Sequence, residues 1–222
     1  MYCPASFRTT PEEDLKLIYD FPLATLVVDS PMHGLVSNQL PLFASQQSRV
    51  DGQLVLVGHC ARKNPLAEML RYGTNCLVVF NGESHYVSPS FMDTEENVVP
   101  TYNYVTLQLQ GFATLREDEQ FLREATAYLT LQEESKYVPN NIWKPDEPSV
   151  KPRLAHIVGF QIVCRTKHGG KNKNSQNKSE AIQKSIASHF QKKPKKRYLL
   201  AVAAPALVIG LIVGYFVASQ SK

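Results

Sequence analysis

Tyr102 to Leu115 read YNYVTLQLQGFATL. Tyr104, Thr106, Gln108 and Gln110 alternate with Val105, Leu107 and Leu109, the period of two that marks a half-buried strand. Downstream, Asp118–Glu134 changes period: Phe121, Leu122, Ala125, Tyr128, Leu129 and Gln132 follow helical spacing. Residues 136–153, with Pro139, Pro145, Pro148 and Pro152, form an irregular crossing, and His156–Arg165 is a further strand. Upstream, Cys76–Asn81 is an apolar strand that Gly82 is expected to end, with His85–Ser90 a separate strand beyond it. Asn64-Pro65 caps a helix from Leu66 to Tyr72, stopped by Gly73.

Closer to the N-terminus, Thr10-Pro11-Glu12-Glu13 supplies a capping box and a proline at the first helical position, so a helix follows to about Tyr19. Leu23–Val28 reads as a strand. Met32-His33-Gly34 turns the chain into a second, Leu35–Phe43, and Asp51-Gly52 turns it into Gln53–His59. About six or seven strands joined by tight turns predict a mainly β fold, an antiparallel barrel with helical insertions.

The formal charge of +4 averages unlike regions. Residues 1–164 carry 12 Lys/Arg against 19 Asp/Glu, a net of −7, whereas residues 165–197 carry 11 against Glu180 alone, a net of +10. Tyr198–Ala218 then runs for 21 residues without a charge. A bilayer core needs about 20 apolar residues in a helix, and Lys192-Lys193-Pro194-Lys195-Lys196-Arg197 stands directly before the stretch. The start of the chain, Met1 to Arg8, shows neither a basic nor an apolar signal region. The expectation is a tail-anchored membrane protein. It comprises a barrel over residues 1–168, a polar and basic neck over 169–197 and a transmembrane helix over 198–218, with the body facing the cytosol. Gly210 and Gly214 form a GxxxG within that helix.

Cys3, Cys60, Cys76 and Cys164 lie far apart without metal-ligand spacing, which reads as small buried hydrophobes in a reducing compartment. The six histidines are equally scattered, so no metal site is expected. No GxGxxG, Walker loop, GxSxG or HExxH is present, and no nucleophile is assigned.

Five segments in order carry a resemblance. They are Met1-Tyr2-Cys3-Pro4 with Phe7, and Gly58-His59-Cys60-Ala61-Arg62-Lys63-Asn64-Pro65. Then come Val79-Phe80-Asn81-Gly82 with Tyr86-Val87-Ser88-Pro89-Ser90, and Val99-Pro100-Thr101-Tyr102-Asn103-Tyr104. The last is Ile157-Val158-Gly159-Phe160 with Gly170-Lys171 and Ser175-Gln176-Asn177. Over about residues 1–190 the chain resembles the PaiB-type family, described as FMN-binding negative transcriptional regulators with the flavin-binding split-barrel fold. Departures from the family pattern are Gln39 for a histidine, Phe91-Met92 for Trp-Tyr, Tyr102 for a tryptophan, Asn174 for a leucine and Lys178 for an arginine.

The resemblance implies FMN as cofactor and a homodimer with the flavin at the subunit interface. Arg62 and Lys63, before the helix start, are candidates for the phosphate, or else solvated loop charges, and Asn64 at that start belongs to the same cofactor-binding set. Tyr86, Ser88, Ser90, Thr101 and Asn103 are candidates around the flavin ring, or else polar strand ends. Lys171 and Gln176 complete the cofactor set. Haem would need a histidine, with His168 the one available in the polar C-terminal segment. The function expected is a flavin-dependent redox role at a membrane. The alternatives are a PaiB-type transcriptional regulator, disfavoured by the acidic body, and a cofactor-free interaction module tethered to the membrane.

Overall fold

The computed structural model describes residues 2–45, 53–89, 99–137 and 151–172. They form two compact units, Met1–Tyr86 with Tyr102–Lys173, and Val87–Thr101 with Asn174–Lys222. A short 3₁₀ turn, Ala5–Phe7, leads into α1 (Pro11–Asp20), β1 (Leu23–Ser30), β2 (Gly34–Pro41), β3 (Phe43–Ala44) and β4 (Val55–Ala61). Next come α2 (Pro65–Leu70), β5 (Thr74–Val87), β6 (Thr101–Arg116), α3 (Glu119–Tyr137), α4 (Lys151–Leu154) and β7 (Ile157–Asn172). The strands make one seven-stranded sheet in the order β2-β1-β5-β6-β7-β4-β3.

β2 and β3 stand at opposite ends of that order, yet only Leu42 separates them in the chain. The sheet must therefore roll until its two edges meet, as a closed β-architecture requires. One side-chain hydrogen bond marks the meeting: Asn64 Nδ2, just beyond β4, donates to Asn38 Oδ1 of β2 at 3.3 Å. The single strand expected over Leu35–Phe43 is thus two, because the chain changes pairing partner at Leu42.

The capping box forms as the sequence predicts. The Glu13 amide donates to Thr10 Oγ1 at 3.3 Å, and the Thr10 amide donates to Glu13 Oε2 at 3.0 Å. Gly34 and Gly73 take φ of +66° and +76°, which explains the turn and the helix stop expected at each. Gly82 does not end a strand, since β5 runs through it to Val87. A β-carbon there would lie 2.7 Å from Leu17 Cδ1, so this glycine is the gap into which α1 packs, not a break.

β7 is likewise longer than expected. Residues 167–172, read from sequence as a polar irregular segment, pair with Tyr104–Leu109 of β6. Backbone hydrogen bonding to a long neighbour overrides their polar, glycine-rich composition. The Asp51-Gly52 turn, most of the proline-rich crossing, the neck, the short helix expected over 180–190 and the span over 198–218 lie outside the described residues. Among the described residues no helix is long and apolar enough to cross a membrane.

The core fills the roll with alternate side chains, including Leu26, Val78, Phe80, Leu107, Leu109, Phe160 and Ile162. A second cluster joins Val55 and Val57 of β4 to Ala125 and Leu129 of α3. His59 follows Val57 on the same strand face by alternation, and its Nδ1 is buried with no hydrogen-bond partner among the described residues. Burial holds its pKa below the ordinary 6.5, so the folded chain prefers the neutral ring. The unfolded chain then takes up the proton first, and stability is full above about pH 6.5 and falls as the pH drops below it. Urea unfolding across pH 7.5 to 5 should show a loss of at most about 1.4 kcal/mol per pH unit, and His59→Gln should flatten that slope. An unchanged slope in the variant would remove His59 as its source.

Candidate cofactor site

β6 organises everything that resembles a site. Val105, Leu107 and Leu109 point into the core, so Tyr102, Tyr104, Gln108 and Gln110 lie on the outer face. At its N-terminal end, the Tyr102 and Tyr86 rings meet at 5.4 Å between centroids, tilted by 59°. Both stay about half exposed, which leaves aromatic surface available on the outside of the sheet. Asn103 is buried on the inner face. The Thr106 hydroxyl donates to the Phe80 carbonyl at 3.1 Å, joining β6 to β5. Of the expected ring residues, Tyr86 and Asn103 stand at this end of the sheet, Tyr86 beside Tyr102 on the outer face and Asn103 on the inner one. Ser88 and Thr101 belong to the other compact unit, and Ser90 and Gln176 lie outside the described residues.

The expected phosphate residues stand elsewhere. Ala61 pairs with Ile157, and Gly159 pairs with Arg116, so the Arg62-Lys63-Asn64 loop adjoins the far end of β6. From Tyr104 to Arg116 an extended strand covers roughly 40 Å, more than one flavin nucleotide can span. Arg62 is engaged within the fold. Its Nε donates to the Ala155 carbonyl at 3.0 Å, its Nη2 to the Ile157 carbonyl at 3.2 Å and its Nη1 to Glu117 at 2.8 Å. The guanidinium therefore pins three loops together, and its forked geometry suits that task. Asn64 caps α2 by accepting from the Leu66 amide at 2.9 Å. Lys63 is exposed and has no ion-pair partner among the described residues, so it is the cation this loop can offer to a ligand.

Between the two ends lies a groove that the sequence reading did not single out. It has a volume of about 440 Å³ and is lined by Val27, Asn75, Leu77, Gln110, Arg165 and Thr166 among others. That is within the range of about 300–1,000 Å³ of small-molecule and cofactor sites. A bulge builds it. Gln110 pairs with Thr166 but Gly111 pairs with Cys164, which leaves Arg165 as the extra residue of β7. Its guanidinium lies 5.4 Å from the Phe112 ring centre, a cation over an aromatic face beside the groove. The amides of Asn75 and Gln110, the Thr166 hydroxyl and the Arg165 guanidinium are donors that an FMN ring edge and phosphate can use, with the Asp29 carboxylate also in the lining.

Lys171 takes a different place. It pairs with Glu13 of α1 and lines a smaller cleft beneath the N-terminal strap. His168 pairs in register with Gln108 and is exposed. Among the described residues no group of three or more His, Cys, Asp and Glu is placed to hold a metal ion.

The cysteines divide as their burial dictates. Cys60, Cys76 and Cys164 are core residues whose thiols burial pushes up to about 11, about 11 and about 12, while Cys3 is half-buried. A thiolate is the reactive form, so Cys3 should be the first of the four to react with a thiol reagent at neutral pH. Mass mapping should find the other three labelled at a comparable rate only after denaturation. Rapid labelling of Cys76 or Cys164 in the folded chain would contradict the packing described.

Comparison with known proteins places the chain in a family. The FMN_bind_2 profile, described as "Putative FMN-binding domain", matches residues 1–166, and the chain belongs to that family. The protease synthase and sporulation protein PAI 2 of Bacillus subtilis is 28% identical over 193 residues, covering 86% of this chain and 89% of its own. Among solved structures, the FAD and heme binding protein from Mycobacterium smegmatis superposes with a TM-score of 0.53 at 15% identity, covering 81% of this chain and 78% of that one. The flavocytochrome Anf3 from Azotobacter vinelandii gives 0.54 at 13% identity, covering 79% and 75%. The split-barrel-like fold and the PaiB-like family expected from the sequence are both found. FMN is the cofactor by which the family is described.

Proposed function

We propose that the chain is a flavoprotein that binds FMN between two copies of itself and serves a redox role at a membrane surface. The separation along β6 carries this reading. The tyrosine end and the exposed Lys63 of the loop stand at opposite ends of the strand, with the Arg165 groove between them. One chain cannot bring both to a single nucleotide, but a second copy related by two-fold symmetry can lay its loop over the open face of the first. FMN would supply the electron-transfer chemistry. The chain's own groups would orient it, with amide and hydroxyl donors at the ring edge, aromatic faces beside it and cations at the phosphate.

The membrane part of the reading rests on the sequence of residues 192–218. The uncharged span would anchor the chain, and the lysine run would hold the neck on the cytosolic, anionic face. The family's regulatory title finds less support, since a body of net charge −7 lacks the cations that duplex binding requires.

The test is a titration of the purified chain with FMN, followed by visible absorbance and sedimentation. A perturbed flavin spectrum that saturates at one FMN per chain in a dimer supports the reading. A folded dimer indifferent to FMN would leave the cofactor-free interaction module in its place. Deletion of 198–222 should release the chain from membranes without changing the FMN titration. Continued sedimentation with vesicles after that deletion would overturn the anchor.

A further inference from the structure

The N-terminal residues form a strap across the β6–β7 pair. Arg8 bridges to Gly170, and the Thr9 amide donates to the Gly169 carbonyl at 3.4 Å. Beneath the strap is a cleft of about 180 Å³, walled by Tyr2, Pro4, Phe7 and Tyr104, with Thr106 and Lys171 among its lining. For scale, an apolar protein cavity of about 150 Å³ takes up one benzene. The cleft therefore has room for one substituted six-membered ring and is too small for the three fused rings of a flavin.

Its chemistry is equally restrictive. The rings of Tyr2, Phe7 and Tyr104 offer aromatic faces. The Thr106 hydroxyl is already donated to the Phe80 carbonyl. Lys171 gives one ammonium hydrogen to Glu13, and an ammonium has three, so two remain for a ligand's acceptor. The Glu13 carboxylate offsets the charge of Lys171, which favours a neutral acceptor over an anion. The Tyr104 hydroxyl has no partner among the described residues and adds a donor at the rim.

We propose that this cleft is a binding subsite for a single-ring aromatic carbonyl compound, the ring held between Tyr104 and the strap and the carbonyl oxygen on Lys171. It rests on the cleft alone, and it stands whether or not FMN binds at the outer-face groove.

Benzamide is the probe, titrated into the full chain by calorimetry and by saturation-transfer NMR, with and without FMN. One saturable site is expected. Lys171→Met should weaken it at least tenfold and Tyr104→Ala to a similar degree, while Tyr104→Phe should change it by less than about threefold. Thermal melting of each variant shows that it remains folded, and Tyr104, half exposed on a strand face, supplies an independent variant should Lys171→Met unfold. Cyclohexanecarboxamide, which keeps the carbonyl and loses the planar ring, should bind at least fivefold more weakly. Benzoate should bind no better than benzamide. Absence of saturable benzamide binding overturns the proposal, as does equal affinity in both Lys171→Met and Tyr104→Ala. Displacement of benzamide by FMN mole for mole also overturns it, because the cleft would then belong to the flavin.

Discussion

Gly111→Ala should destabilise the chain by about 3 kcal/mol and open the outer-face groove. A β-carbon at Gly111 would lie 2.7 Å from the Val163 carbonyl oxygen and 2.8 Å from Ile162 Cγ2. The first of these is backbone in the neighbouring strand and cannot rotate aside. The clash falls at the step between Gln110 and Gly111 where the β6–β7 register shifts. Relief would require β7 to move away from β6, and with it the bulged Arg165. For a chain of this size the loss corresponds to a fall in Tm of roughly 6–12 °C. Gly34→Ala is the control, because nothing lies within 4 Å of its β-carbon and only its φ of +66° opposes the substitution. It should cost about 1 kcal/mol. Equal losses in the two variants would mean that the bulge is not packed as described.

The second large effect separates two neighbouring cations. Arg62→Ala should lower stability by about 2–4 kcal/mol, because it removes two bonds to backbone carbonyls and an ion pair that holds Glu117. Half of that side chain is exposed, so most of the effect comes from the orphaned carbonyls and loops and little from charge. Lys63→Ala should leave the melting temperature unchanged and weaken FMN by about 10- to 100-fold, the worth of a charge-assisted contact to phosphate. Thermal melts beside FMN titrations distinguish the two. If Arg62→Ala leaves stability intact and abolishes FMN binding, Arg62 is the phosphate ligand and its three bonds are incidental.

Much of the fold is written in local pattern. The alternation of Tyr102–Leu115, the capping box at Thr10 and the glycines at 34 and 73 each report a local constraint, and each appears where the residues place it. What local pattern cannot report is the partner. Gly82 looks like a strand end until Leu17, 65 positions away, is seen to need its space. Residues 167–172 look like a loop until β6 offers them a long edge to pair with. Leu42 looks like mid-strand until the sheet closes there.

The candidate site shows the same division. Tyr86 and Tyr102 meet because adjacent strands carry them, while Asn103 turns to the inner face by alternation. Arg62 beside Lys63 gives no hint of which cation the fold itself consumes, since that depends on carbonyls at 155 and 157. Arg165 was invisible as a groove residue for a similar reason. It owes its direction to a register shift, and a bulge leaves little trace in a single strand's sequence.

The most direct test of a site shared by two copies is complementation by mixing. Chains carrying Lys63→Glu have a defective loop, and chains carrying Arg165→Glu have a defective groove. Each population alone should bind FMN weakly. After the two are mixed and allowed to exchange subunits, each mixed dimer has one site with both defects and one with neither. The predicted result is recovery of tight FMN binding at up to half a flavin per chain among mixed dimers, read by equilibrium dialysis. No recovery after demonstrated subunit exchange would contradict the account and return the whole site to a single chain.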